Sequence, residues 1–143
     1  MIRFAIVLAV AGTIGCSRGQ SVVASNVSQN DFQESAVSAV ITGALEGEAA
    51  GQATDTLFTS SALVVVNGRV RTTPPLFAGI GQGGQVIISS SQLQIRPGTG
   101  WSAVDYRWQS RDGVAREGRA TFVLTQVAPG RWQIQHVHSS SPQ

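Results

Sequence analysis

The sequence predicts an α+β domain in which helices come first and a long antiparallel sheet follows. Three observations lead to this class. An amphipathic helical pattern occupies residues 28–47, four strand-like stretches follow one another between residues 85 and 140, and the links between those strands consist of turn residues. Strands joined by such short links must pair as an antiparallel meander, because a parallel pair needs a long crossover.

The first fifteen residues have the pattern of an export signal. Arg3 precedes an apolar run from Phe4 to Gly15, which is too short to span a bilayer but suits a signal peptide. The run ends at Thr-Ile-Gly-Cys, which resembles a bacterial lipobox and implies cleavage before Cys16 and lipidation of its thiol. The alternative is a plain secretory signal cut slightly later.

Residues 16–27 then read as a lipidated, flexible tether between the membrane and a domain over residues 28–143. We expect an exported protein on the periplasmic face, held to the membrane by its lipid alone. Ser17 follows the cysteine, where Asp would favour the inner membrane, so the outer membrane is preferred. Cys16 is the only cysteine in the sequence, so the domain is predicted to fold without disulfides.

Composition argues against nucleic-acid binding. The chain has 143 residues and a formal charge of +2, and its ten basic residues are arginines scattered singly along the sequence. A nucleic-acid surface would need basic residues clustered on one face. We therefore expect no nucleic-acid partner.

The helical region begins with a pattern typical of a capped helix. Ser28 to Asp31 has the form of a capping box, and apolar residues then recur at three- and four-residue steps to about Gly47. A second short helix is predicted over residues 52–58. A further helical turn is predicted over residues 74–80, and the glycine-rich residues 79–84 form a loop.

The strands are bounded by turn signals. Asn67-Gly68 predicts a hairpin between residues 62–66 and 69–71. The four longer strands are predicted at residues 85–95, 101–110, 117–127 and 131–140, separated by RPGTG, RDGVA and APG.

Two stretches resemble a known family: ALEGEAAGQATDTLFTSSALVVVNG and the closing GRWQIQHVHSSSP. Over residues 28–142 the chain resembles a SnoaL-like member of the nuclear transport factor 2-like superfamily. Its ending is also similar to the association domain of calcium/calmodulin-dependent kinase II, whose pattern matches Trp132, Gln133, His136, His138 and Ser140. The resemblance implies a cone-shaped fold with a pocket at its wide end, and a homodimer formed through the outer sheet face. The superfamily includes isomerases, cyclases and binding modules, so the fold does not supply a function.

Strand alternation suggests which side chains could line that pocket. In the last strand, period two places His136 and His138 on the face of Trp132 and Ile134, towards the first helix, although one bulge would reverse this. In the strand over residues 101–110, Tyr106 shares a face with Val104 and Trp108. Asp105 and Arg107 point the other way with Trp101, and the pattern leaves open which of Tyr106 or Arg107 lines the pocket. The pocket candidates are His136, His138, Tyr106, Arg107, Arg119 and Trp101.

The candidate chemistry is limited. No metal site is predicted, because the two histidines lack a recognisable third ligand, and no cofactor is expected. A general base could come from His136, His138, Asp105 or Asp55. Asp105 and Tyr106 cannot serve one site together, since adjacent strand residues face opposite ways.

Three functions stay open on the sequence alone. The first is a lipid-anchored domain that binds a small, partly apolar molecule, without established catalysis. The second is an isomerase- or cyclase-like enzyme that uses a pocket His or Asp as its base. The third is an oligomerisation module, as the kinase association domain suggests.

Overall fold

The computed structural model describes the backbone of residues 21–142 and the side chains of residues 29–142. The structure has the α+β class that the sequence predicted. The elements are the helix α1 (Ser21–Ala49), a 3-10 helix (Asp55–Leu57) and the strands β1 (Phe58–Val66), β2 (Arg69–Arg71), β3 (Gln85–Arg96), β4 (Thr99–Gln109), β5 (Ala115–Ala128) and β6 (Arg131–Ser140). The proposed cleavage site and Cys16 lie outside the described residues.

Helix α1 begins earlier than predicted. It includes residues 21–27, which the sequence assigned to the tether, so the capping pattern at Ser28 lies inside the helix and does not mark its start. That stretch, SVVASNV, contains neither glycine nor proline, so no strong helix breaker stops the helix there. The predicted apolar stripe is confirmed, since Val37, Ile41, Ala44 and Leu45 are buried.

The six strands form one sheet in the order β2-β1-β6-β5-β4-β3. Strands β3 to β6 pair antiparallel in sequence order, as the short links predicted. The β1–β2 hairpin is also confirmed, with Asn67 and Gly68 both at positive φ, as a tight two-residue turn requires. The sequence did not predict that β1 pairs parallel with β6, which places β6 between β1 and β5.

Two predicted helical segments are wrong. Of residues 52–58, only the 3-10 turn Asp55–Leu57 is helical, and residues 74–80 are not helical. In the second segment, side chains from elsewhere in the chain accept the backbone amides of Leu76, Phe77 and Ala78, so these donors do not form helical bonds.

One face of the sheet, the covered face, packs against α1 and against residues 74–84, which we call the plug segment. Phe77 of the plug is 1% exposed and lies against Phe122 of β5, with ring centroids 5.8 Å apart. The opposite face of the sheet is the outer face. Strand β4 alternates between the faces without interruption, so Tyr106 is buried on the covered face and Arg107 is exposed on the outer face.

A bulge in β6 overturns one prediction. Ile134 pairs with Leu124 and His136 pairs with Val123, so Gln135 is an extra residue without a counterpart in β5. The bulge resets the alternation, and Val137 and Ser139 are the buried residues that follow Ile134. His136 and His138 therefore lie on the outer face, and the prediction that they share a face with Trp132 and Ile134 is wrong.

Candidate functional site

The outer face holds most of the side chains that the sequence proposed for a pocket. His136 lies opposite Leu63 of β1 and Val123 of β5, and His138 lies opposite Val65 and Thr121. Trp101 pairs with Val123 and is 36% exposed. These side chains form one continuous, partly apolar surface and not the lining of the cone.

Asp105 and Arg119 form an ion pair on the same outer face. Arg119 donates from Nε and Nη2 to the two carboxylate oxygens of Asp105, and the hydroxyl of Ser90 donates to Asp105 Oδ2 at 2.7 Å. The hydrogen bonds from Arg119 and Ser90 hold the pKa of Asp105 below its usual range. Because both side chains are well exposed, the pair contributes little to stability. Its carboxylate stays ionised at neutral pH, which makes Asp105 a poor general base.

An open depression of about 590 Å³ surrounds this ion pair. It brings together the predicted residues Asp105, Tyr106, Arg107 and Arg119, with Glu117 and Ser140 beside them. The side chain of Tyr106 is buried on the covered face. The depression is thus lined by charged side chains and by strand backbone.

The interior of the cone is filled by the plug segment, which is held by side chains from three elements. Glu48 of α1 accepts hydrogen bonds from the amides of Leu76 at 2.8 Å and Phe77 at 3.1 Å. The amide of Ala78 donates to the hydroxyl of Ser139, and the carbonyl of Ala78 accepts from the hydroxyl of Tyr106 at 2.7 Å. These three amides and the carbonyl of Ala78 therefore have partners despite their burial.

The far end of the plug is held in a similar way. The indole Nε1 of Trp108 donates to the carbonyl of Gly83 at 2.6 Å, and the amide of Gly83 donates to the carbonyl of Ala49. This last bond ties the plug to the C-terminus of α1. Helix, sheet and plug thus meet at one end of the molecule.

Glu48 is a half-buried carboxyl group at this end of the molecule. Burial raises its pKa above the ordinary value, and the two amide hydrogen bonds only partly offset this effect. Burial also raises the pKa of Tyr106, and the nearby negative charge of Glu48 adds to the shift. Tyr106 is therefore a neutral hydrogen-bond donor at physiological pH.

A groove of about 600 Å³ lies beside the plug, between the end of α1 and the 3-10 helix. Its apolar walls come from Pro74, Pro75, Leu76 and Ile80 of the plug, with Ala53 opposite. Its polar groups are Glu48, Gln52, Thr54, Asp55 and Gln82. A concave, partly apolar site of this volume with a few polar groups has the form of a small-molecule site. We call it the groove.

The structure places one predicted candidate in the groove and adds another that the sequence reasoning missed. Asp55, proposed as a possible pocket acid, lines it and is exposed. Glu48 was not proposed, although a signal existed. It lies four residues after Ala44 and seven after Ile41, so it continues the apolar stripe of α1 as an acid.

Neither a metal-binding cluster nor a membrane-spanning helix is present in the part of the chain that the structure describes. Across residues 21–142, no group of three or more His, Cys, Asp or Glu side chains could hold a metal ion. Within the same residues, no helix is both long enough and apolar enough to cross a membrane.

Comparison with known proteins identifies the fold. No protein-family model matches the chain, and no curated protein matches it. Among solved structures, a candidate ketosteroid isomerase from Shewanella frigidimarina is 19% identical, with a TM-score of 0.55 over 76% of this chain and 94% of its own. A protein of unknown function with a cystatin-like fold from Nostoc punctiforme is 8% identical, with a TM-score of 0.64 over 76% and 90%.

An NTF2-like protein of unknown function from Pseudomonas aeruginosa has a similar structure, with 18% identity and a TM-score of 0.56 over 70% of this chain and 90% of its own. At such low identities the likeness shows the fold alone. The chain has the cystatin-like, NTF2-like α+β fold, a class in which a curved sheet wraps a helix.

Proposed function

We propose that this chain is a lipid-anchored, SnoaL-like domain on the periplasmic face of a bacterial membrane that binds a small, partly apolar molecule. The observation that carries the binding role is the groove. Its volume of about 600 Å³ is within the usual range for ligand sites, and its walls are apolar side chains of a segment whose backbone is held in place at both ends.

The groove replaces the cone interior as the proposed binding site. Tyr106, Phe77 and Phe122 are each at most 1% exposed, so the interior around these three side chains is filled by the protein itself. The outer-face histidines lie on the other side of the sheet from the groove, so they do not contribute to it. Asp55 and Glu48 are the charged groups that a ligand there would meet.

A blocked groove tests the binding role. We expect Ala53→Trp to fill the groove, because Ala53 lines it. Since Ala53 is exposed, the indole ring should displace solvent and leave the packing of the core unchanged. Ala50→Trp is the matched control, since Ala50 is exposed nearby but does not line the groove. A small-molecule library screened by amide chemical shifts should give hits that move Gln52, Thr54 and Leu76, and that Ala53→Trp abolishes. Hits that map to the outer face, or no hits at all, would contradict the proposal.

Proton-transfer catalysis of the isomerase or cyclase type is the second candidate function. The raised pKa of Glu48 beside an apolar groove favours it, because a base tuned towards neutral pH is what such chemistry needs. Against it, both carboxylate oxygens of Glu48 already accept backbone amides. Deuterium incorporation into a bound carbonyl ligand in D₂O, lost in Glu48→Gln, would favour the enzyme.

We also propose that two copies associate through the outer face. The surface that contains Leu63, Trp101 and Val123 is partly apolar, and Leu63 is 45% exposed. Five strands at about 4.8 Å spacing and about ten residues in length give a face of roughly 800 Å², which is about what each partner of a standard interface buries.

A further inference from the structure

Two carboxylates give the groove a negative potential. Glu48 and Asp55 line it, beside the end of α1 at Ala49. The last turn of α1 has no basic residue that would offset these charges.

The groove also lacks a compensating cation. None of its lining residues is Arg, Lys or His. Arg119 and Arg116 are the arginines whose side-chain partners the structure gives, and these partners are Asp105 on the outer face and the ring of Trp108. Negative charge in a concave site with apolar walls is less screened than on an open surface, so the field acts on any group that enters.

The polar groups of the groove suit a donor of hydrogen bonds. Glu48 and Asp55 offer carboxylate oxygens, and Gln52, Thr54 and Gln82 add amide and hydroxyl oxygens. No aromatic residue lines the groove, so it does not have the form of a cage for a quaternary ammonium group. A nitrogen cation with its own N–H groups fits this donor and acceptor pattern.

We infer that the groove is selective for a protonated amine on an apolar body. The body packs against Pro74, Pro75 and Ile80, and the ammonium group faces Asp55 and Glu48. This inference rests on the proposed binding function and names the class of ligand. It excludes carboxylates and phosphates, which the same charges repel.

Three probes of one shape test the inference: benzylamine, benzyl alcohol and benzoate, each titrated into the whole domain and followed by amide chemical shifts. We expect benzylamine to bind at least about tenfold more tightly than benzyl alcohol, which corresponds to about 1.4 kcal/mol, and benzoate not to bind. Raising the salt concentration should weaken benzylamine binding and leave the alcohol unchanged.

Asp55→Asn should reduce benzylamine affinity several-fold without unfolding the protein, because Asp55 is exposed. Asp31→Asn is the matched control. It removes the same charge from an exposed site about 25 Å from Glu48 along α1.

The outcomes separate the two proposals. Equal or tighter binding of benzyl alcohol in the groove would overturn the preference for a cation and leave the groove as a binding site. Binding of benzylamine that Asp55→Asn and Asp31→Asn weaken equally would also overturn it, since general charge attraction would then explain the effect. The absence of groove shifts with all three probes would contradict the binding function itself.

Discussion

The hydroxyl oxygen of Ser139 accepts a hydrogen bond from the amide of Ala78 at 3.0 Å, although the two residues are 61 positions apart in the chain. Ser139 is fully buried on β6, and Ala78 is at the centre of the plug segment. The hydroxyl of Tyr106 donates a hydrogen bond to the carbonyl oxygen of Ala78. The β6 bulge is what turns Ser139 towards the plug, so one extra residue in a strand decides how the cone is closed.

Loss of the Ser139 hydroxyl should weaken the attachment of the plug segment to β6. We expect Ser139→Ala to lower the free energy of unfolding by about 1–3 kcal/mol, because the buried amide of Ala78 is left without an acceptor. Ser140→Ala is the matched control on the next residue and should change it by less than about 0.5 kcal/mol. Urea denaturation measures both. Equal effects would mean that the hydrogen bond to Ala78 contributes little.

Gly118 makes room for the same contact. A Cβ atom at this position would lie 2.5 Å from both the carbonyl oxygen of Ala78 and the ring of Tyr106. We therefore expect Gly118→Ala to destabilise the domain by about 1–3 kcal/mol or more through overpacking. A Cβ at Gly100, also on the covered face, would meet its nearest neighbours only at 3.6 Å, so thermal unfolding of Gly100→Ala should shift far less.

The ionisation of Glu48 should make stability depend on pH in an unusual direction for a carboxyl group. Its pKa is raised in the folded state above the ordinary value of 4.5, so the folded protein holds this proton more tightly than the unfolded chain does. The contribution of this group to the free energy of unfolding is fully present below pH 4.5. It is lost as the pH rises through the pKa that Glu48 has in the folded state. We expect the unfolding free energy of the wild type, relative to Glu48→Gln, to fall over that window.

The pKa of Asp105 is shifted in the opposite direction, downwards. Because Asp105 is present in both the wild type and Glu48→Gln, its effect on stability cancels from the comparison. Glu46→Gln, which removes an exposed carboxylate two residues earlier on α1, is the control for loss of charge. A flat difference between wild type and Glu48→Gln across the window would show that Glu48 is not buried as an unfavourable charge.

Association through the outer face predicts a change of oligomeric state on substitution. We expect Leu63→Asp to shift a dimer to monomer in analytical ultracentrifugation, because it places a charge in the partly apolar surface beside His136. Val114→Asp is the control, since Val114 is similarly exposed but lies in the turn before β5. A wild type that is monomeric at high concentration would rule the interface out.

The lipid anchor has a direct test. If Cys16 carries the lipid, Cys16→Ala should release the protein from the membrane fraction of the cells that produce it, because the remaining segment has no acyl chain to partition. Ser17→Ala should stay in the membrane fraction. Unchanged fractionation of Cys16→Ala would reject lipidation at this residue.

The candidate site was only partly predictable. Asp55 was proposed as a possible general base, and it does line the groove. Glu48 could have been noticed as an acid on the apolar stripe of α1, but its partners Leu76 and Phe77 are 28 and 29 residues away. Nothing in the plug sequence itself indicates which side chain accepts its backbone amides.

The sequence by itself determined the α+β class, the antiparallel meander and the two faces of β4. These features follow from local patterns: apolar spacing, turn residues and uninterrupted alternation. Only the tertiary structure decided the parallel pairing of β1 with β6, the outward position of His136 and His138, and the filling of the cone by the plug. Each depends on hydrogen bonds between segments far apart in the chain, and a strand's own residues do not show where its partner forces a bulge.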